Sequence, residues 1–435
     1  MRRAFLQFSP PLISNEAIEE VIDSLRSDWI TTGPKVRRFE GDFAGFVGAE
    51  AALAVGSGTD AMLVGLAALG IGPGDAVVTT AMTFCSTVHV IEHLGARPIL
   101  VDVEPDTLNI DPSQVERLNV GTSNVKALMP VHLYGHPCEM DALLDIAARH
   151  NLHIVEDAAH AVPAAYKGRM IGGRGSGVES QVEGTVEHKH SASVMQRVNM
   201  NQDQSPSPSA KSARQRESAV LTAFSFYATK NMTTAEGGML TGPAELIDEA
   251  RIWSLHGMSH DAYKRYTAEG SWYYEVIRPG FKCNMTDIQA AIGIHQLRKL
   301  PKFMERRREI VRRYNAAFGE LEELEMPTCR REVDHAWHLY VTRLNLERLT
   351  IDRNQFIEEL KARNIGTSVH FIPIHLHPYY RDKYGYKPDD FPVAFREFQR
   401  IISLPLYPRM SDEDVQDVID AVSDVVGRYR KAKYI

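Results

Sequence analysis

The sequence predicts an α/β fold, with a large domain built on a mostly parallel sheet and a smaller α+β domain after it. The chain has 435 residues, more than one hydrophobic core usually serves. From Ala51 to Ala164, short apolar runs alternate with segments of helical periodicity, which is typical of βαβ units. Beyond residue 300 the order becomes strand, helix, strand, helix. We therefore predict a large domain at residues 1–299 and a small C-terminal domain at residues 300–435.

The large domain begins with helix and continues as sheet. Residues 14–26 carry apolar positions at helical spacing behind Ser14, a predicted N-cap. Strands are predicted in the runs AVVTT, RPILVDV, KALMPVHLY and HIVED, and the runs AVLTAFSFY and GGMLTG extend the same sheet. In open sheets of this kind ligands bind at the carboxyl ends of the strands, so we look for a site there.

A long helix is predicted to join the two domains. Thr286 and Gln289 form a capping box before an extended helical pattern, which Pro301 is expected to interrupt. In the small domain, strands are predicted in HLYVTRL and TSVHFI, and helices begin behind the caps Asp352 and Ser411.

Residues 174–218 differ from the rest of the chain. They contain no aromatic residue, no leucine and no isoleucine, and they are rich in serine, glutamine and charge. Such a segment has too little apolar area to offset the entropy of ordering. We predict a flexible surface insertion, and a regulatory tether is the alternative.

Composition narrows the function classes. A formal net charge of −7 argues against a general nucleic-acid binder, which needs a basic surface. We see neither a signal-peptide core nor a long apolar stretch, so we expect a cytoplasmic protein with no membrane partner. The cysteines lie far apart without C-x-x-C spacing, and we predict reduced thiols and no metal site.

A glycine-rich loop is a candidate anion site. Gly56, Ser57, Gly58 and Thr59 lie between the apolar run AALAV and a helical pattern. Glycine permits close backbone approach, and helix N-terminal amides attract phosphate. A plain strand-to-helix turn explains the loop equally well when it is taken alone. Phe84 could stack on a flat ring, although a place in the core would also suit it.

An acidic residue and a lysine each follow a predicted strand. Asp157 closes HIVED, where its carboxylate could pair with a protonated ring nitrogen or cap a helix. Lys230 follows AVLTAFSFY and precedes a glycine-bounded segment, so we expect it in a loop at the sheet edge. A partly desolvated lysine is more readily neutral, and the neutral amine attacks aldehydes. A solvated lysine is the alternative.

These features occur within phrases that resemble a known family. In order, WITTGPKVRRFE, VGSGTDAMLVGLAALGIGPGD, VEDAAHA, FSFYATKNMTTAEGG and GFKCNMTDIQAAIGIHQL are similar to the DegT family of sugar-nucleotide aminotransferases. The resemblance runs from Phe8 to Arg428 apart from residues 174–218. It implies the type I PLP-dependent transferase fold, with pyridoxal 5'-phosphate (PLP) as cofactor.

The resemblance implies roles around the cofactor ring. Lys230 would be the Schiff-base lysine and would move the proton between substrate and cofactor carbons. Asp157 would pair with the pyridine nitrogen, and Phe84 would stack on one face of the ring. His160 would lie on the other side near the ring hydroxyl, where family members often carry glutamine.

The resemblance also implies a phosphate site shared between two subunits. Gly58, Thr59 and Ser225 would hold the phosphate from one chain. Asn284 resembles the asparagine that reaches the phosphate from the partner, so a homodimer is implied.

The implied reaction is a ping-pong transamination in amino-sugar biosynthesis, for a surface polysaccharide, lipopolysaccharide or antibiotic. Glutamate would be the amino donor, and a keto sugar attached to a nucleotide would be the acceptor. Candidate partners of the sugar phosphate are Lys282, Arg278 and His370.

Some alternatives remain open from the sequence. The small-domain histidines could form a lid or substrate surface, and ordinary core and surface placement is an equal alternative: they are His335, His338, His370, His375 and His377. A non-catalytic PLP-binding regulator of the same family is another reading, as is a plain nucleotide-binding module. A related dehydratase, in which histidine replaces the lysine, is disfavoured by Lys230.

Overall fold

The computed structural model describes residues 2–118, 124–173, 218–259 and 273–432. The predicted insertion at residues 174–218 lies outside these residues except for Ser218. The strands are β1 (Ala51–Val55), β2 (Ala76–Thr80), β3 (Arg97–Val101), β4 (Val125–Met129), β5 (His153–Asp157), β6 (Ala165–Tyr166), β7 (Arg169–Met170), β8 (Val220–Ser225), β9 (Gly238–Gly242), β10 (Leu324–Glu325), β11 (Val333–Asp334), β12 (Tyr340–Leu344) and β13 (Ile401–Leu404).

The helices alternate with these strands. They are α1 (Asn15–Arg26), α2 (Pro34–Val47), α3 (Gly58–Ala68), α4 (Ser86–His93), α5 (Pro112–Arg117), α6 (Met140–His150), α7 (Ala244–Ser254), α8 (Asp287–Phe318), α9 (Arg353–Ala362), α10 (Pro378–Tyr384), α11 (Pro392–Phe398) and α12 (Asp412–Tyr429). No helix among the described residues is long and apolar enough to cross a membrane.

A seven-stranded sheet in the order β1-β9-β8-β5-β4-β2-β3 forms the centre of the fold. Strand β9 pairs antiparallel with both neighbours, and the other pairs are parallel. The prediction of a mostly parallel sheet is therefore confirmed. Apolar clusters cover both faces, as a parallel sheet requires. The carboxyl ends of β1, β2, β4, β5 and β8 thus share one edge.

The predicted helix caps are confirmed. Ser14, Thr286, Asp352 and Ser411 each accept a hydrogen bond from a backbone N–H of the first turn. The predicted interruption at Pro301 is wrong, because α8 continues through it. Proline removes one helical hydrogen bond, and burial of one whole face of this long helix against α1 and α2 offsets that loss.

The C-terminal part contains a three-stranded sheet in the order β10-β12-β13. The predicted strand TSVHFI forms only one bridge, from Ser368 to Ser403, and β13 takes the place beside β12. Beyond Ser368 the segment leaves the sheet, and His370 and Phe371 line the cavity described below. Helix α8 crosses residues 299 and 300 without a break, and the division of the chain at that point stays a prediction.

Candidate active site

A cavity of about 360 Å³ opens at the carboxyl edge of the seven-stranded sheet. Its walls come from the loops after β1, β2, β4, β5 and β8, and from the segments around residues 8, 338 and 370. The predicted site residues that line it are Gly58, Thr59, Phe84, Asp157, His160, Ser225, Lys230 and His370. Residues that are distant in sequence meet here because parallel strands end at one edge.

Lys230 lies in the loop between β8 and β9, and its side chain is only partly exposed. Burial lowers the pKa of Lys230 to about 8, while the carboxylate of Asp157 acts in the opposite direction. At pH 7 about a tenth of this amine is therefore neutral, and the neutral form is the nucleophile.

Asp157 is buried at the end of β5. One carboxylate oxygen accepts a hydrogen bond from Thr87 Oγ1 at 2.7 Å, and the other accepts one from the backbone N–H of Ala159 at 3.1 Å. Burial raises the pKa of Asp157, whereas Thr87, Ala159 and the nearby Lys230 lower it. These contacts fix the carboxylate in a low-dielectric wall, where it can stabilise a cation strongly.

The start of α3 and the end of β8 form a small polar pocket in the same wall. Ser57 caps α3, and its hydroxyl accepts a hydrogen bond from the N–H of Asp60 at 3.0 Å. A Cβ atom on Gly58 would lie 2.8 Å from the Cβ of Ser225, so only glycine allows this approach. The N–H groups of Gly58 and Thr59 and the hydroxyl of Ser225 are thereby brought together, which suits an anion.

Aromatic rings line the rest of the cavity. Phe84 is 56% exposed, and its ring centroid lies 5.7 Å from that of Phe371. His160 is buried beside His338 at 4.4 Å, and it also stacks on Phe371 at 5.7 Å. Burial lowers the pKa of His160 well below its usual value, so this ring is neutral.

These residues fit PLP. The amine of Lys230 can react with the aldehyde of PLP, and the buried carboxylate of Asp157 can pair with the protonated ring nitrogen. The N-terminus of α3 can bind the phosphate. Gly58 gives the strongest structural support for this fit, because a Cβ atom there would fill the space between α3 and Ser225.

Three predicted residues do not line the cavity of their own chain. Asn284 donates a hydrogen bond to Thr32 Oγ1 at 2.7 Å and accepts one from Lys282. Arg278 pairs with Glu249 and lies over the ring of Trp253. This segment packs against α7 and the loop before α2, so any role of these residues in binding stays a prediction.

The histidines of the C-terminal part separate into two groups. His338 and His370 line the cavity, whereas His335 and His375 are buried elsewhere and His377 is the N-cap residue of α10. Among the residues that the structure describes, no group of three His, Cys, Asp or Glu side chains is placed to hold a metal ion.

Sequence reasoning missed several residues that line the cavity or support its wall. Phe8 comes from the N-terminal segment and stacks on His370 at 5.5 Å. Thr87 holds Asp157 from the first turn of α4. Neither position carries a motif, and only the packing of distant segments brings them here. His338 was visible in the sequence, but nothing there separated it from its neighbours.

Comparison with known proteins supports the cofactor fit. The model of the DegT/DnrJ/EryC1/StrS aminotransferase family matches residues 11–180 and 212–423. The chain is 47% identical over 431 residues to the protein MJ1066 of Methanocaldococcus jannaschii, covering 99% of this chain and 100% of that one. It is also 47% identical over 427 residues to the spore coat polysaccharide biosynthesis protein SpsC of Bacillus subtilis, with 98% of each covered.

Solved structures agree with the family match. Spr1654 of Streptococcus pneumoniae, a proposed sugar aminotransferase, has been solved in its PLP form. It is 32% identical to this chain, with a TM-score of 0.80 over 98% of this chain and 99% of that one. Its form with the aminated cofactor, PMP, superposes equally well. The predictions of a type I fold, of an aminotransferase and of PLP are thereby confirmed. The chain belongs to the DegT/DnrJ/EryC1/StrS family, and it is a PLP-dependent aminotransferase of sugar biosynthesis.

Proposed function

We propose that this enzyme transfers an amino group from glutamate to a keto sugar attached to a nucleotide. The observation that carries the proposal is one cavity that holds both a depressed-pKa lysine, Lys230, and a buried carboxylate, Asp157. The family match and the polysaccharide pathway named for SpsC support a sugar acceptor. With this amine and this carboxylate both present, nothing favours a non-catalytic regulator.

Lys230 and Asp157 divide the chemistry. Bound PLP supplies an aldehyde and a ring that withdraws electrons from the reacting carbon. We infer that Lys230 would hold the cofactor through its amine and would move a proton between the substrate carbon and the cofactor carbon. Asp157 would keep the ring nitrogen protonated, since its carboxylate is fixed by Thr87 and Ala159.

The remaining cavity residues bind and orient. The proposed phosphate site is the α3 N-terminus at Gly58 and Thr59 with the Ser225 hydroxyl. Phe84 would cover one face of the ring, and neutral His160 would lie near the ring hydroxyl. His370 remains a candidate contact for the sugar nucleotide.

The active site is proposed to need two subunits. Asn284 and Lys282 lie outside the cavity of their own chain, and large apolar side chains near them are exposed, including Trp29, Ile30 and Ile277. Exposed apolar area of this kind commonly marks an interface. We infer that Asn284 reaches the phosphate of the partner subunit and that Lys282 lies near the nucleotide. Arg278 is a weaker candidate because its guanidinium group already forms an ion pair with Glu249.

A complementation experiment tests the shared site. Mixed dimers of Lys230→Ala and Asn284→Ala chains contain one complete site, formed by Lys230 of one chain and Asn284 of the other. Equal mixing after mild unfolding should restore about a quarter of wild-type activity, because half the dimers are mixed and each has one working site. If Asn284 acted within its own chain, no activity would return.

The donor and acceptor are tested by half-reactions. Glutamate added to the PLP form should bleach its visible absorption, and a keto sugar nucleotide should restore it. Keto acids without a nucleotide serve as the control acceptor. Restoration by a simple keto acid but by no sugar nucleotide would contradict the proposed acceptor. The cytoplasmic location stays a prediction.

A further inference from the structure

Two neutral histidines meet in the cavity wall, and their hydrogen bonds give them opposite properties. His160 and His338 are both buried, with ring centroids 4.4 Å apart. Burial holds the pKa of each well below its usual value. A neutral imidazole carries one N–H and one lone pair. The partner of one nitrogen therefore decides what the other nitrogen offers to a ligand.

His160 offers a donor. Its Nδ1 lies 3.2 Å from the backbone nitrogen of Tyr134, which can only donate. Nδ1 is therefore the acceptor, and the proton of the neutral ring is on Nε2.

His338 offers an acceptor. Its Nδ1 lies 3.3 Å from Oδ1 of Asn231. The orientation of that amide is fixed, because its Nδ2 donates to the carbonyls of Val162 at 2.9 Å and Ala336 at 2.7 Å. Oδ1 must then accept, so Nδ1 of His338 carries the proton and Nε2 carries the lone pair. Within the described residues no group donates to this Nε2.

The place of His338 defines which ligand group it can meet. The residue lines the cavity with Lys230, and Asn231, which orients it, follows Lys230 directly in the chain. The side chain of His338 therefore belongs to the same cavity as the reactive amine. A carboxylate of an amino donor carries only acceptor atoms and is repelled there, whereas a sugar hydroxyl can donate.

We propose that His338 is a substrate-binding residue that accepts a hydrogen bond from the sugar hydroxyl next to the keto carbon. The inference rests on the proposed function and deepens it. It assigns to Asn231 the role of a positioning residue, since its fixed amide selects the tautomer of His338. The amino-donor half-reaction does not use this contact.

The two half-reactions, measured separately in single turnovers, test the proposal. The probes are glutamate and the UDP- or dTDP-linked keto sugar that the wild-type protein aminates. His338→Ala should lower the sugar half-reaction about tenfold, the effect of one lost hydrogen bond, and leave the glutamate half-reaction within about twofold. His338→Gln, whose Oε1 can still accept, should recover most of the rate.

A second buried histidine provides the control. His335 lies on the same segment, stacks on Trp337 at 4.0 Å and accepts a hydrogen bond from the N–H of Trp337, but it does not line the cavity. His335→Ala should leave both half-reactions unchanged at matched folded fraction. A sugar lacking the neighbouring hydroxyl should react equally fast with wild type and His338→Ala.

Different outcomes would contradict the role of His338 and the proposed function. Equal losses in both half-reactions of His338→Ala, or an undiminished tenfold loss with the deoxy sugar, would overturn the role of His338. A wild-type protein that completes no sugar half-reaction at all would instead refute the proposed function. Histidine ¹⁵N NMR of the cofactor-free protein gives a readout apart from activity: the His338 signal, identified by its absence in His338→Ala, should be that of an Nδ1–H tautomer.

Discussion

Two regions of this molecule have similar side chains, but only one of them has the properties of a binding site. One is the active-site cavity. The other is a cluster near the β10-β12-β13 sheet, here called the histidine–arginine cluster, which consists of His136, His335, Arg330 and Arg343. Both regions contain histidines whose pKa is lowered by burial, and in both a cationic side chain lies near at least one carboxylate. From sequence alone either could have been taken for a site.

The partners of the polar atoms distinguish the two regions. In the histidine–arginine cluster, Arg330 pairs with three carboxylates and Arg343 pairs with Glu325 and Glu397. The cavity beside the cluster holds about 20 Å³. In the active site, Lys230 Nζ and His338 Nε2 have no hydrogen-bond partner among the described residues, and both residues line a cavity of about 360 Å³. Unused hydrogen-bonding capacity with room beside it therefore marks the site, and buried charge alone does not.

The largest expected effect comes from the lysine. Lys230→Ala should lower transamination by a factor of about 10² to 10⁴ or more, because it removes the proposed covalent anchor and proton carrier. Thermal stability of the cofactor-free protein should not fall, since the change removes a desolvated amine. The exposed Lys167, paired with Asp141, gives the control Lys167→Ala with unchanged activity. A substantial loss of activity in Lys167→Ala would mean that the loss in Lys230→Ala is not specific to the cavity.

Adjacent carboxylates on β5 provide the next comparison. Asp157 lines the cavity, whereas Glu156 points to the other face and accepts a hydrogen bond from Thr222 at 2.8 Å. Asp157→Asn should keep the fold, because Thr87 can reverse its hydrogen bond. It should slow turnover on the order of a hundredfold, because the charged partner proposed for the ring nitrogen is lost. Glu156→Gln should leave turnover within about twofold by the same reasoning. Equal kinetic losses in steady-state assays would contradict the assignment of Asp157.

The pH dependence of cofactor capture tests the environment of Lys230. Its pKa of about 8 means that the amine is mostly protonated, and therefore mostly unreactive, below pH 8 and mostly neutral above it. The initial rate of PLP capture by the cofactor-free protein, followed by visible absorption, should rise about tenfold from pH 7 to 9 and then level off. In Asp157→Asn the midpoint should move to lower pH, since Asp157 raises this pKa. A rate that still climbs tenfold per unit above pH 9 would indicate an ordinary solvated lysine.

Much of this arrangement could be predicted from the sequence because it is local. Caps such as Thr286 and Ser411 depend on a few neighbouring residues, and the strand end at Asp157 follows from an apolar run. The run AVLTAFSFY predicts β8 but extends two residues beyond its end at Ser225. The continuity of α8 through Pro301 could not be predicted, because it depends on the packing of α8 against α1 and α2, which are distant in sequence. The chain around His370 alternates like a strand but lines the cavity instead. The contacts of Phe8 and Thr87 join segments that no local pattern connects.

The smallest expected effect lies in the histidine–arginine cluster, where stability should change and chemistry should not. Arg330 is partly exposed and holds Glu104, Asp106 and Glu139 together. Arg330→Met keeps most of the side-chain volume but leaves these carboxylates to repel one another. We expect a loss of about 1–3 kcal/mol, seen as a lower midpoint of thermal unfolding, with kcat and KM unchanged at temperatures where the variant is folded. Added salt should recover part of the loss by screening the repulsion. A fall in kcat without a fall in the midpoint would mean that the cluster communicates with the cavity, and the contrast between satisfied and unsatisfied polar groups would then be insufficient to locate the site.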